Sequence, residues 1–148
     1  MLENILNSEI AAEAELGMKI AIVLRDDLEA WQRLNVAAFT ISGVGALDGA
    51  TGKNYNDASG NTYLPMFKDP VLVFGADASE MLRTADRARS RQVSFSIFTR
   101  DLFGTFNDDD NRAAVARVAG PELDIVGLAF RCERKTADKV LKGLKLLK

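Results

Sequence analysis

The sequence has no histidine and only one cysteine among its 148 residues. Without histidine, the Ser-His and Cys-His couples of nucleophilic catalysis and the imidazole ligands of most zinc sites are excluded. Cys132 has no partner for an intrachain disulfide, and its apolar setting in LAFRC favours a buried structural thiol over a reactive nucleophile. Any general acid or base must therefore be Asp, Glu, Lys, Tyr or the substrate itself, and we expect neither a metal nor another cofactor.

Long hydrophobic runs and a basic leader are also missing. The longest apolar run, around residues 20–24, has the length of a strand and is too short to cross a bilayer. The first seventeen residues contain four glutamates and no lysine or arginine, which is the opposite of the basic start of a signal peptide. These features predict a cytoplasmic protein that does not act in a membrane.

Length and composition predict one globular domain over residues 1–148, since 47% of the residues are hydrophobic and the net charge is only −2. Residues 1–17 have the spacing of an amphipathic helix that ends at Gly17. The apolar face of this helix must dock on the body of the protein or on a partner. A homodimer is therefore one expected assembly.

Four apolar segments of strand length alternate with helical segments. Strands are predicted at 19–24, 70–76, 93–98 and 123–132, and helices at 28–47, 77–91, 109–120 and 134–148. The first strand is apolar throughout, which is typical of a central parallel strand, whereas the alternation in 93–98 is typical of a sheet edge. The polar segment 48–65 predicts a surface excursion with a short hairpin. Together these elements predict a three-layer α/β/α domain with a four-stranded mixed sheet.

The candidate site lies where the first strand gives way to the next helix, at residues 25–33. Ligands of open α/β sheets collect beyond the carboxyl ends of parallel strands. Either Asp26 or Asp27 is expected to cap the following helix, and this structural role weighs evenly against a catalytic one. Trp31 has a ring that stacks well on a base or ribose, although a lone tryptophan in an apolar helix is more typical of a core residue.

Two charged clusters favour ordinary structural roles. Three consecutive aspartates, Asp108 to Asp110, indicate a helix start in water rather than a calcium loop, whose ligands alternate along the chain. Arg83, Arg87 and Arg91 recur every four residues along one helix face. A solvated face is favoured over a tRNA-binding stripe for these arginines.

The segment KIAIVLRDDLEAWQRLNVAAF resembles the opening of the type II peptidyl-tRNA hydrolases, in which a strand ends in Arg-x-Asp-Leu and the next helix carries Ala-Ala. The matching residues are Arg25, Asp27, Leu28, Ala37 and Ala38. Three later blocks follow in the family's order: PVLVFGADASEMLRTADRARSR resembles its second strand and helix, VSFSIFTRDLFGT its third strand and site loop, and DKVLKGLKLL its closing helix. The sequence is even more similar to a bacterial family of unknown function with the same fold.

The resemblance implies this hydrolase fold for residues 18–148, with a helical insertion near 108–119, and an ester bond in a tRNA-related substrate or small molecule. In the hydrolases, a lysine in the first turn of the first helix, an aspartate after the third strand and a threonine four residues later belong to the active site. Asp101 and Thr105 keep that spacing. Asn35 stands in the place of the lysine, and Arg33 is the nearest cation.

Two functions follow. In an ester hydrolase with this altered site, Asp101 orients water, Thr105 hydrogen-bonds the substrate and Asn35 stabilises a developing oxyanion. The predicted substrate-binding residues are Arg25, Asp27, Trp31 and Arg33. In the alternative, the same cleft or the apolar face of residues 2–16 holds a small ligand or a protein partner without catalysis.

Overall fold

The computed structural model describes residues 2–4 and 17–148, so the predicted helix over 1–17 lies largely outside the described residues. The strands are β1 Met18–Arg25, β2 Tyr55–Asn56, β3 Thr62–Tyr63, β4 Val71–Ala76, β5 Phe95–Thr99, β6 Ile125–Glu133 and β7 Lys145–Leu146. The α-helices are α1 Ala30–Gly45, α2 Ala78–Ser90, α3 Asp108–Ala116 and α4 Arg134–Val140. Two 3-10 helices are formed by Arg100–Gly104 and Gly120–Glu122.

Five of these strands form one mixed sheet in the order β5-β6-β1-β4-β7. β1 lies in its centre, parallel to β4 and antiparallel to β6. This confirms the central position predicted for the apolar run, and β5 lies at an edge as its alternating pattern predicts. The predicted hairpin is also confirmed, because β2 and β3 pair as a separate antiparallel ribbon.

The prediction of four strands is wrong because segment 134–148 is not one helix. α4 ends at Val140, and Gly143 turns the chain with a φ of 88°, a left-handed conformation that glycine adopts without strain. Beyond the turn, β7 pairs antiparallel with Phe74 and Gly75 of β4. The end of the described chain thus adds a fifth strand beside β4.

Apolar side chains cover both faces of the sheet. On one face, Val23 of β1 packs in a core that includes residues of α2 and α4, such as Met81 and Val140. On the other face, Ile22 packs in a core that includes Val36 of α1. Alternate residues of β1 therefore enter opposite cores, as the period of two in a strand requires.

α1 is less buried than its nearly all-apolar sequence predicts. Only Val36, Thr40 and Val44 of this helix are fully buried, whereas Leu34 is 74% exposed and Phe39 is 56% exposed. The helix consequently turns an apolar outer face to solvent beside β5. Within residues 2–4 and 17–148, neither this helix nor another has the combined length and apolar character that crossing a membrane requires.

Candidate functional site

A cavity of about 360 Å³ opens between α1, the end of β5, the first 3-10 helix and the start of α3. We call it the aromatic cleft. Its aromatic lining residues are Trp31, Phe39, Phe98, Phe103 and Phe106. Its polar lining residues are Asn35, Thr105, Asn107, Asp108 and Asn111, and Leu102 completes the wall.

The helical repeat of α1 places one wall of the cleft. Trp31, Asn35 and Phe39 are spaced four residues apart, so their side chains share one helix face. The Trp31 ring meets Phe103 edge to face, with 5.8 Å between ring centroids, and Phe103 contacts Phe98 at 5.0 Å. Trp31 is 58% exposed, so the expectation that it is a core residue is wrong. It forms part of a continuous, half-open aromatic wall.

The opposite wall is held together by the Thr105 side chain. Its hydroxyl donates to the Leu102 carbonyl at 2.9 Å and also contacts the side-chain oxygen of Asn111. One hydroxyl proton serves one acceptor at a time, so both acceptors compete for the proton of Thr105. Thr105 therefore joins the 3-10 helix to α3 and offers lone pairs, not a donor, to a ligand.

The cleft carries few charges. Asp108 is the one acidic residue among its described lining residues, and this carboxylate is paired with Arg112 one helical turn further along α3. In the described part of the chain, no lysine or arginine lines the cleft, and the Asn35 side chain makes no hydrogen bond to other described residues. No group of three or more metal-ligating side chains suited to hold an ion occurs among those residues either. The cleft thus offers an unpaired carboxamide in an aromatic, weakly charged setting.

The structure divides the residues predicted to form the site. Trp31, Asn35 and Thr105 come together in the aromatic cleft. Asp101 is exposed on the 3-10 helix and does not line the cleft, and its side chain has no hydrogen bond or ion pair with other described residues. Arg33 follows Trp31 by two positions, a turn of about 200° around the helix, and lies on a different side of α1.

Arg25 and Asp27 belong to a network of ion pairs beside the cleft. Arg25 donates to Asp27 at 3.0 Å and to Asp124 at 2.8 Å, and Arg100 donates to the same two carboxylates, each at 3.0 Å. Burial by itself raises the pKa of Asp124, but the hydrogen bonds and charges of Arg25 and Arg100 outweigh it and hold that pKa below its ordinary value. The network ties the 3-10 helix to the ends of β1 and β6.

The helix cap differs from the sequence-based expectation. Neither Asp26 nor Asp27 caps α1; Glu29 is the N-cap residue and forms a capping box with Gln32. The Asp27 carboxylate lies instead against the guanidinium groups of Arg25 and Arg100. These pairs explain Asp27 without assigning it to ligand binding.

Sequence reasoning missed the phenylalanines, which are four of the five aromatic residues that line the cleft. Four of the eight phenylalanines fall within residues 95–106, and three of those four line the cleft. That local enrichment was an available signal. Asn111 was also missed, because its contact with Thr105 depends on how α3 docks.

Comparison with known proteins assigns the chain to a family. Residues 18–148 match the model of DUF2000, which is described as a protein of unknown function. The chain is also similar to the solved structure of a protein of unknown function from Agrobacterium tumefaciens strain C58, with a TM-score of 0.86 and 37% identity over 89% of this chain and 98% of that one. No curated protein matches the chain.

Proposed function

The chain belongs to the DUF2000 family of proteins of unknown function, and from that premise we propose that it binds a small, flat, uncharged molecule in the aromatic cleft. The observation that carries the proposal is a half-open wall of aromatic rings beside an unpaired carboxamide, with no lysine or arginine among the described lining residues. Small-molecule sites combine these features: apolar, often aromatic walls and a few polar groups that fix orientation. This corresponds to the non-catalytic alternative derived from the sequence.

The exposure of the rings supports a flat ligand. Trp31 is 58% exposed and Phe106 is 95% exposed, although both line a concave surface. Large aromatic surfaces left in water favour association with another apolar face. The volume of about 360 Å³ lies at the lower end of the range for ligand sites. A ligand of one or two fused rings is the size that fits.

The polar groups of the cleft support a ligand that both donates and accepts hydrogen bonds. The Asn35 carboxamide offers two donors and an acceptor, while the Asp108 carboxylate and the Thr105 hydroxyl offer acceptors. An anionic ligand lacks a counter-charge here and meets Asp108. Aromatic amides and neutral heteroaromatic rings have the required combination.

Trp31 is the only tryptophan, so its fluorescence reports on the cleft alone. We expect benzamide to change this fluorescence saturably. Benzoate, which is flat but anionic, and cyclohexanecarboxamide, which is uncharged but not flat, should each bind about tenfold more weakly, a difference of about 1.4 kcal/mol. Equal responses to all three probes would refute the proposed selectivity.

A matched pair of variants tests the role of the carboxamide. Asn35→Leu keeps the approximate volume but removes the donor and acceptor, and we expect benzamide binding to weaken about tenfold. Asn54→Leu makes the same change in the exposed segment outside the cleft and should leave binding unchanged. Equal affinities for the two variants would show that the Asn35 carboxamide does not hold benzamide.

Ester hydrolysis is the second candidate, because Asn35 and Thr105, two of the three residues predicted to be catalytic, line one cavity. The test is cleavage of an N-blocked aminoacyl-tRNA by the wild-type chain and by Asp101→Ala. Cleavage at least about tenfold faster by the wild type would support a hydrolase in which Asp101 orients water. Cleavage at equal rates would remove only the role of Asp101, which does not line the cleft, and no cleavage by either chain would remove this candidate.

A further inference from the structure

A second depression, of about 440 Å³, lies at the carboxyl ends of the parallel strands β1 and β4. An adjoining hollow of about 200 Å³ shares Glu80 and Gly143 with it, so the two hollows meet at these residues. We call the pair the basic groove, because its lining includes Arg33, Arg83, Arg87, Lys142, Lys145 and Lys148. It lies on a different side of α1 from the aromatic cleft.

The charge of the basic groove is unbalanced. Among the lining residues that the structure describes, six cations face two acidic residues, Asp26 and Glu80, in a chain whose net charge is −2. Glu80 is engaged in the capping box of α2, where its carboxylate accepts a hydrogen bond from the Asp77 amide at 3.0 Å. Among the described residues, none of the six cations forms an ion pair, while Lys19, Arg25, Arg89, Arg100, Arg112 and Arg131 all do.

Arg33 is held in the groove without a full set of acceptors. One terminal nitrogen has a long 3.5 Å contact with the Asp26 carbonyl, and Nε is buried with no acceptor within the described part of the chain. A guanidinium in this state is poorly satisfied by the protein itself. Its fork of donors matches the oxygens of a phosphate group.

The backbone of the groove is open as well. Gly143 has no atom within 4 Å of the place where a side chain would begin, so a ligand has room to approach the main chain there. The groove also lies beyond the carboxyl ends of parallel strands, where open α/β sheets bind ligands. Cations, an undersatisfied guanidinium and accessible backbone thus meet in one depression.

We propose that the basic groove binds a small anion containing a chain of phosphates, such as a pyrophosphate or triphosphate group. A single phosphate would engage only one end of a groove whose cations extend through both hollows. The assignment is independent of the aromatic cleft, because the lining of the basic groove contains neither Trp31 nor Asn35.

Isothermal titration calorimetry of the full chain with sodium tripolyphosphate tests this site. We expect one-site binding that weakens with added salt, and about tenfold weaker binding for Arg33→Gln/Lys145→Gln. Lys53→Gln removes one positive charge outside the groove, as Lys145→Gln does within it, and should bind as the wild type does. Lys145 is exposed, so Lys145→Gln alone gives a second test that does not depend on the half-buried Arg33.

Three results would overturn the proposal. These are no heat of binding, an equal loss of affinity in Lys53→Gln, and tighter binding of a single-stranded RNA oligonucleotide than of tripolyphosphate. A nucleoside triphosphate that binds more tightly than tripolyphosphate would identify a nucleotide as the source of the phosphates. Benzamide binding, measured by Trp31 fluorescence, should not change in Arg33→Gln/Lys145→Gln. The two experiments therefore test the basic groove and the aromatic cleft separately.

Discussion

Gly127 of β6 lies so close to Val36 of α1 that a Cβ atom on Gly127 would stand 2.2 Å from Val36 Cγ1. Leu24 Cδ2 would lie 3.3 Å from that added Cβ atom. Only a hydrogen atom fits between the sheet and the helix at this point. Because Asn35 precedes Val36, this contact also fixes the distance between the sheet and the part of α1 that lines the aromatic cleft.

Gly127→Ala should therefore destabilise the fold. The added methyl group must displace Val36, which is fully buried, and overpacking of this kind costs about 1–3 kcal/mol in the free energy of unfolding. Urea unfolding followed by circular dichroism measures the change. Gly104→Ala is the matched control, because no atom lies within 4 Å of its added methyl group, and it should change the stability by less than about 1 kcal/mol.

Asp124→Asn should weaken the ion-pair network. The Asp124 carboxylate accepts from Arg25 at 2.8 Å and from Arg100 at 3.0 Å, and its side chain is half exposed. We expect a loss of about 1 kcal/mol in the free energy of unfolding at neutral pH. Asp86→Asn, in the exposed pair with Arg89, is the control and should cost less.

The loss caused by Asp124→Asn should also depend on pH. The pKa of Asp124 in the folded protein lies below the ordinary value of 3.8, so its stabilisation is complete above 3.8 and is lost as the pH falls through the folded pKa. The difference in unfolding free energy between wild type and variant should shrink over that range. A difference that stays constant down to the folded pKa would show that the pairs do not stabilise the ionised carboxylate.

Asp57, in the turn between β2 and β3, should stay ionised at a lower pH than an ordinary aspartate. Hydrogen bonds from the Asn61 side chain at 2.9 Å and the Tyr63 hydroxyl at 2.7 Å lower the pKa of Asp57 to about 2. The stabilisation by these bonds is present above pH 3.8 and is lost as the pH falls through about 2. An NMR titration of the Asp57 carboxyl carbon measures this directly.

Two phenylalanine variants separate the contributions to that pKa. Tyr63→Phe removes one donor and should raise the pKa of Asp57 toward 3.8. Tyr55 lies opposite Tyr63 in the hairpin but makes no hydrogen bond to Asp57. Tyr55→Phe should therefore leave the pKa of Asp57 unaltered. If both variants shift the pKa equally, the hydroxyl of Tyr63 is not the cause.

Cys132 should react slowly with alkylating reagents. Burial, reinforced by the charges of Glu133 and Asp138, raises the pKa of this thiol from 9.0 to about 11. Since the thiolate is the reactive form, alkylation by iodoacetamide at mildly alkaline pH should be roughly 100-fold slower than in the chain unfolded by urea. Mass spectrometry counts a single event, because the chain has one cysteine. Equal rates in both states would contradict the inert role expected from the sequence.

The main elements of the fold were predictable because they carry strong local patterns. An uninterrupted apolar run marks β1, and Asp77 with Glu80 marks the start of α2, where the structure has a complete capping box. β7 was not predictable, because two residues form no periodic pattern and the apolar spacing of segment 134–148 fits a helix. The one signal for its turn was Gly143.

The candidate site was less predictable than the fold. The spacing of Trp31 and Asn35 along α1 follows from the helical repeat, so their common face was within reach of the sequence. The position of Asp101 depends on the 3-10 helix, which Arg100 holds through contacts with Asp27 and Asp124. Long-range ion pairs of this kind leave no periodic trace in a sequence.

The pair formed by Arg131 and Asp69 should be the most sensitive ion pair to truncation. Both side chains are less than 10% exposed, and Arg131 Nε donates to Asp69 at 2.7 Å. Asp69→Ala leaves a buried guanidinium without its counter-charge, and we expect a loss of about 3–5 kcal/mol in the free energy of unfolding. Arg131→Met in the same chain removes that charge and should recover most of the loss. Urea unfolding measures the stability of both variants. If the double variant is no more stable than Asp69→Ala, packing around residue 69 causes the instability, and the unpaired charge of Arg131 does not.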